Sequence, residues 1–87
     1  MKYCYKTNGQ VCAQLIELEL DEANHIVQSV NFVGGCPGNH LGIASLVKDM
    51  RIDEVIRRLS GITCGDRNSS CPDQLAKALQ QFLNEQN

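Results

Sequence analysis

The chain has 87 residues, a net charge of −2 and 43% hydrophobic residues, which predicts one globular domain, residues 1–87, rather than a disordered segment. Lysine and arginine do not cluster, which excludes the electrostatic footprint of a nucleic-acid binder, and no apolar run approaches the ~18 residues of a membrane span. A domain this small buries only about 60–65% of its unfolded surface, so a metal, disulfides or a partner chain is expected to help hold it.

Residues 2–7 read as a short strand with Tyr3 and Tyr5 on one face. Asn8-Gly9 is a strong signal for a two-residue type I′ hairpin turn. Residues 11–20 follow as a longer strand, with Cys12, Ile16, Leu18 and Leu20 toward the core and Gln14 as the exception. The two-residue turn pairs Thr7 with Gln10, so Tyr5 opposes Cys12, and Cys4 falls on the far face opposite Ala13. Asp21 to Asn24 is turn material, with His25 at its end. The third strand, from His25 to Gly34, carries Ile26, Val30, Phe32 and Gly34 on one face and Val27 and Val33 on the other. For the two apolar faces to coincide, paired residue numbers must have an even sum. Pairing Leu20 with Ile26 places Cys12 opposite Gly34, within diagonal reach of Cys36.

Gly34-Gly35-Cys36-Pro37-Gly38-Asn39 marks a tight irregular loop. Asn39 is placed to cap a helix running to about Lys48, with Leu41, Ala44 and Val47, or Ile43 and Val47, facing inward. Asp53 starts a second helix ending at Ser60, with Val55, Ile56 and Leu59 apolar and Gly61 as its stop. Residues 61–69 form a loop holding Cys64. The last helix runs from Cys71 to about Leu83, with Leu75, Ala78, Leu79 and Phe82 on one stripe and a fraying tail beyond. Ser70 is its N-cap, Pro72 suits its first turn, and Asp73 is placed to reach back to the Ser70 amide in a near-capping box. Strands first and helices after predict an α+β fold: a three-stranded antiparallel meander followed by three helices packed on one face.

The chain carries five cysteines. The opening Met1-Lys2-Tyr3-Cys4-Tyr5-Lys6 has no apolar signal region, so the cytoplasm is the expected address. In that reducing compartment, cysteine sets read as metal-binding or redox-active sooner than as disulfide staples. Cys71 begins a helix, where free amides favour an anion and hence a thiolate, the form that binds metal. Cys12, Cys36, Cys64 and Cys71 are the proposed metal ligands, with Cys4 left out by its strand face. Their separations of 24, 28 and 7 residues make no compact zinc ribbon, so the expectation rests on three-dimensional convergence. Four thiolates suit a closed tetrahedral zinc site or an iron–sulfur cluster. Two other readings compete: redox chemistry, including a Cys64–Cys71 disulfide, and four small buried hydrophobes. His40 follows Cys36 at a C-x3-H spacing that suits a ligand, although a solvated first-turn histidine is the plainer reading. The Gly34–Asn39 loop leaves room for Cys36 to approach the other thiolates, and anion binding there is the alternative. Arg57, Arg58 and Arg67 read as surface charges. No Ser-His-Asp set or carboxylate pair is visible, and so small a domain leaves little room for a substrate cavity.

Ser70-Cys71-Pro72-Asp73-Gln74-Leu75-Ala76 resembles the signature of the TSCPD domain family, with Ser69 where the motif's Thr stands. Gly34-Gly35-Cys36-Pro37-Gly38-Asn39 and Leu59-Ser60-Gly61-Ile62-Thr63-Cys64-Gly65 are similar to the same family's pattern. The resemblance covers essentially the whole chain. It implies a small zinc-binding protein, and, because the same domain ends cobalamin-dependent ribonucleotide reductases, an accessory relation to such an enzyme rather than a self-sufficient reductase. A second resemblance concerns topology: iron–sulfur scaffold proteins of the IscU and NifU type share the order of strands, Gly-Cys-Gly loop and Cys-bearing final helix. Cys12, Cys36 and Cys71 fall on that layout's three cysteine positions, which implies an iron–sulfur scaffold or carrier as the alternative. The chain departs from it with Gln14 in place of an Asp and Gly65-Asp66-Arg67-Asn68 in place of a Leu-Pro-Pro-Val-Lys segment.

Overall fold

A computed structural model describes residues 1–7, 14–34, 37–63 and 69–86. Three strands, β1 (Lys2–Lys6), β2 (Leu15–Asp21) and β3 (Ile26–Val33), precede three helices, α1 (Pro37–Val47), α2 (Ile52–Leu59) and α3 (Cys71–Gln86). The strands form an antiparallel sheet in the order β1-β2-β3, so the α+β meander expected from the sequence is the fold.

Alternation places the faces as the sequence does. Ile16, Leu18 and Leu20 of β2 are buried, while Glu17 between them is exposed. Tyr3 and Tyr5 are half-buried on the same side, and Lys2, Cys4 and Lys6 point outward. The registers differ from those expected. Thr7 donates from its amide to the Gln14 carbonyl at 3.2 Å; the expected Thr7–Gln10 pairing across Asn8-Gly9 lies outside the described residues. Tyr5 pairs with Ile16 and Cys4 with Glu17, not with Cys12 and Ala13. Between β2 and β3, Leu18 pairs with Val30 and Leu15 with Val33. A register shift at Glu19/Leu20 then sets Leu20 opposite Val27, not Ile26. This irregularity turns Val27 inward, where it is fully buried beside Leu20. The expected juxtaposition of Cys12 with Gly34 and Cys36 lies outside the described residues.

The β2–β3 turn is built by Asp21. Its Oδ1 accepts from the Ala23 and Asn24 amides at 3.1 Å, an Asx arrangement. The Asn24 side chain holds Oδ2 at 2.9 Å, and these bonds lower the Asp21 pKa. His25 closes the turn with φ of 55°, a turn residue as expected.

Helix α3 crosses the inner face of the sheet. Leu75, Ala78, Leu79 and Phe82, the expected stripe, are all fully buried. The Phe82 ring meets Tyr3 edge-on at 5.5 Å, and Gln81 donates to the Tyr3 hydroxyl at 2.8 Å. The helix continues to Gln86, past the expected fraying point. Helix α2 adds Ile52 and Val55 to the core. Gly61, just beyond it, has φ of 82°, the left-handed conformation expected of its stop.

Helix α1 departs most from expectation. It begins at Pro37, so Asn39 lies within it and is not its cap. Leu41, expected inward, is 71% exposed, and Leu46 is 78% exposed. Val47 is buried and Ile43 half-buried, so the Ile43–Val47 stripe is the one that packs. The segment after α1 pairs with the outer edge of β3: Val27 donates to Met50 at 2.8 Å and Asp49 to Val27 at 2.7 Å. No described helix is long and apolar enough to cross a membrane.

Candidate functional site

The stretch from Ser69 to Gln74 is the most polar buried part of the described chain. Ser69, Ser70, Cys71, Asp73 and Gln74 all lie at 7% exposure or less. Their mutual hydrogen bonds explain how they stay there, since a buried polar group is tolerated when it is paired.

Ser70 caps α3 as expected: its Oγ accepts from the Asp73 amide at 3.2 Å. The same hydroxyl donates to the Ile62 carbonyl at 2.7 Å. Asp73 does not complete the capping box. Its carboxylate instead accepts from the Gly61 amide at 2.7 Å, the Ser69 hydroxyl at 2.5 Å and Lys77 Nζ at 3.1 Å. Gln74 Nε2 donates to Ser69 Oγ at 2.9 Å and closes the network. Burial alone would raise the Asp73 pKa, but the Ser69, Gly61 and Lys77 donors outweigh it and hold the carboxyl below its usual value.

These bonds tie Gly61 and Ile62, at the end of α2, to the first turn of α3. They fix both ends of the segment that contains Cys64 and hold the helix start that carries Cys71. Cys71 is free and 7% exposed. Cys4 is free and exposed on the outer sheet face, as its strand position implied. Cys12, Cys36 and Cys64 lie outside the described residues. Among the described residues, no three His, Cys, Asp or Glu side chains converge as a metal site.

His40 is the residue that sequence reasoning misjudged. The expected solvated side chain is 5% exposed. Its ring stacks on Phe32 with centroids 4.4 Å apart and planes 23° from parallel. Nδ1 is buried with no hydrogen-bond partner among the described residues. Burial lowers its pKa, opposed by the nearby Gly34 backbone, so the ring favours the neutral form. A buried polar atom left unpaired costs about 1–3 kcal/mol. The only sequence signal for this residue was its spacing from Cys36; its burial follows from an aromatic neighbour eight positions back on β3.

A thiolate and a neutral imidazole are among the donor types that zinc selects. A surface cleft of about 430 Å³ opens beside Asp73, lined among others by Ser60, Thr63 and Lys77. The Asp73 carboxylate is fully engaged by Gly61, Ser69 and Lys77.

Comparison with known proteins places these features. The family model described as the TSCPD domain matches residues 2–83, nearly the whole chain. No curated protein and no solved structure matches.

Proposed function

The chain belongs to the TSCPD domain family, and from that membership and the buried thiol opening α3 we propose a small cytoplasmic metal-binding module. Its ligands are the thiolates of Cys12, Cys36, Cys64 and Cys71, and its metal is zinc. The observation that carries this reading is the setting of Cys71. A side chain at the first helical position is sequestered from water, and a buried network from Ser69 to Gln74 holds that helix start in place. A closed thiolate site binds zinc without redox chemistry of its own, and its binding free energy adds to that of folding. The module acts as an accessory rather than as a self-sufficient enzyme, and the partner suggested by the family is a ribonucleotide reductase. No association with such an enzyme at high micromolar concentration counts against that partner.

Cys71→Ser tests the ligand assignment. The variant is expected to lose zinc and much of its thermal stability together. Unchanged zinc content refutes the assignment. The element order also suits an iron–sulfur scaffold or carrier. In that case the protein purified without oxygen is brown and absorbs in the visible, whereas a colourless protein with one equivalent of zinc rules the cluster out.

A further inference from the structure

Between Ile26 and Val47 the chain has no aspartate, glutamate, lysine or arginine, and His40 is the only histidine there. That stretch holds β3 and α1, which pack against each other. His40 is buried in their interface, in the first turn of α1, with its ring stacked on Phe32 of β3. We propose that His40 is a pH-operated latch: neutral, it holds α1 against β3, and protonated, it releases the helix. The latch stands apart from the metal-binding reading and needs no metal.

The charged ring is poorly served where the neutral ring sits. Whichever tautomer precedes it, the imidazolium carries a proton on both nitrogens, so Nδ1 becomes a donor. That atom is buried and meets no acceptor among the described residues. A buried charge also needs a partner of opposite sign, and neither β3 nor α1 carries a carboxylate. Glu17 of β2 lies on the far face of the sheet, where Asn31 holds it at 2.7 Å. On α2, Glu54 pairs with Arg58 at 2.6 Å beside Leu46 and Val47, at the other end of α1. Lys48 and Asp49, just past α1, are exposed, and Cys36 lies outside the described residues. His40, Ile43 and Val47 fall at i, i+3 and i+7, one stripe of the helix, so withdrawing the ring loosens the face that covers β3. An exposed imidazole takes its proton near pH 6.5, and the docked ring takes it only at lower pH because it is buried. The latch is therefore closed above about pH 6.5. Below that value the undocked form is protonated first, and undocking rises by up to ~10-fold per pH unit until the docked ring titrates as well.

Hydrogen exchange of the full chain at about pH 7.5 and about pH 5, corrected for the intrinsic pH dependence of amide exchange, tests this. Amides of α1 are expected to lose protection by at least ~3-fold at the lower pH while those of α3 keep theirs. His40→Phe keeps a flat ring against Phe32 and cannot titrate, so its α1 protection is expected to be the same at both pH values. Unchanged α1 protection in the unaltered protein, an equal loss in α1 and α3, or the same loss in His40→Phe overturns the latch. An NMR titration of the His40 ring in the unaltered protein gives a second reading that does not depend on the variant's folding. A midpoint below about pH 6.5 supports the latch, and one at or above that value overturns it.

Discussion

At the scale of single residues, the signature around Cys71 works as a fastener. Ser70 holds two partners on one hydroxyl, the Asp73 amide and the Ile62 carbonyl. Ser70→Ala removes a cap worth about 1 kcal/mol and deprives the Ile62 carbonyl of its donor. Chemical denaturation of the metal-free protein is therefore expected to show a loss of at least ~1 kcal/mol, with the m-value unchanged. Asp73 gives a pH signature. Its folded pKa is depressed, so it contributes stability that is present above its unfolded value and is lost as pH falls through the folded one. The metal-free protein is expected to lose stability progressively below about pH 4. In Asp73→Asn that part of the acid dependence disappears, and the variant is already weaker at pH 7; an identical acid limb in both proteins contradicts the assignment. What the sequence made legible here was the cap. The partners of Asp73 were not legible, because Gly61 is twelve positions away and only the fold brings it to the carboxylate.

At the scale of elements, strand faces were readable and strand registers were not. Period-two patterning limits a pairing to odd or even sums of residue numbers, and a slip by two keeps every side chain on its face. The first expected register had the right parity and the wrong offset, which the Asn8-Gly9 signal chose; the second kept its parity only from Leu15 to Glu19. The irregularity at Glu19/Leu20 is a tertiary solution that buries Val27, which alternation alone assigned outward. Helix α1 was ambiguous for a different reason. It carries no charged residue from Pro37 to Val47, so no polar stripe marks its outer face. Packing against β3 selects Ile43 and Val47 over Leu41. Substitution separates the two faces: Leu20→Ala is expected to cost about 2–5 kcal/mol, whereas Leu41→Ala stays within about 0.5 kcal/mol in the same denaturation assay. Equal costs contradict the observed orientation of α1.

At the scale of the whole molecule, one apolar cluster joins the sheet to all three helices through Ile16, Leu20, Val47, Val55 and Phe82. The α+β order was legible because strand and helix periodicities occupy separate halves of the chain. The candidate site was less so. Cys71 stood out at a helix start, but the burial of His40 depends on Phe32 across a strand-to-helix connection, which no local pattern encodes. A small core of this kind benefits from an added cross-link, and the metal proposed at the start of α3 would supply one. The most direct measurement is elemental analysis with an absorbance spectrum, on the full chain purified without oxygen. One zinc per chain in a colourless protein is the expected result; a folded, thermally stable protein that carries no metal contradicts the account.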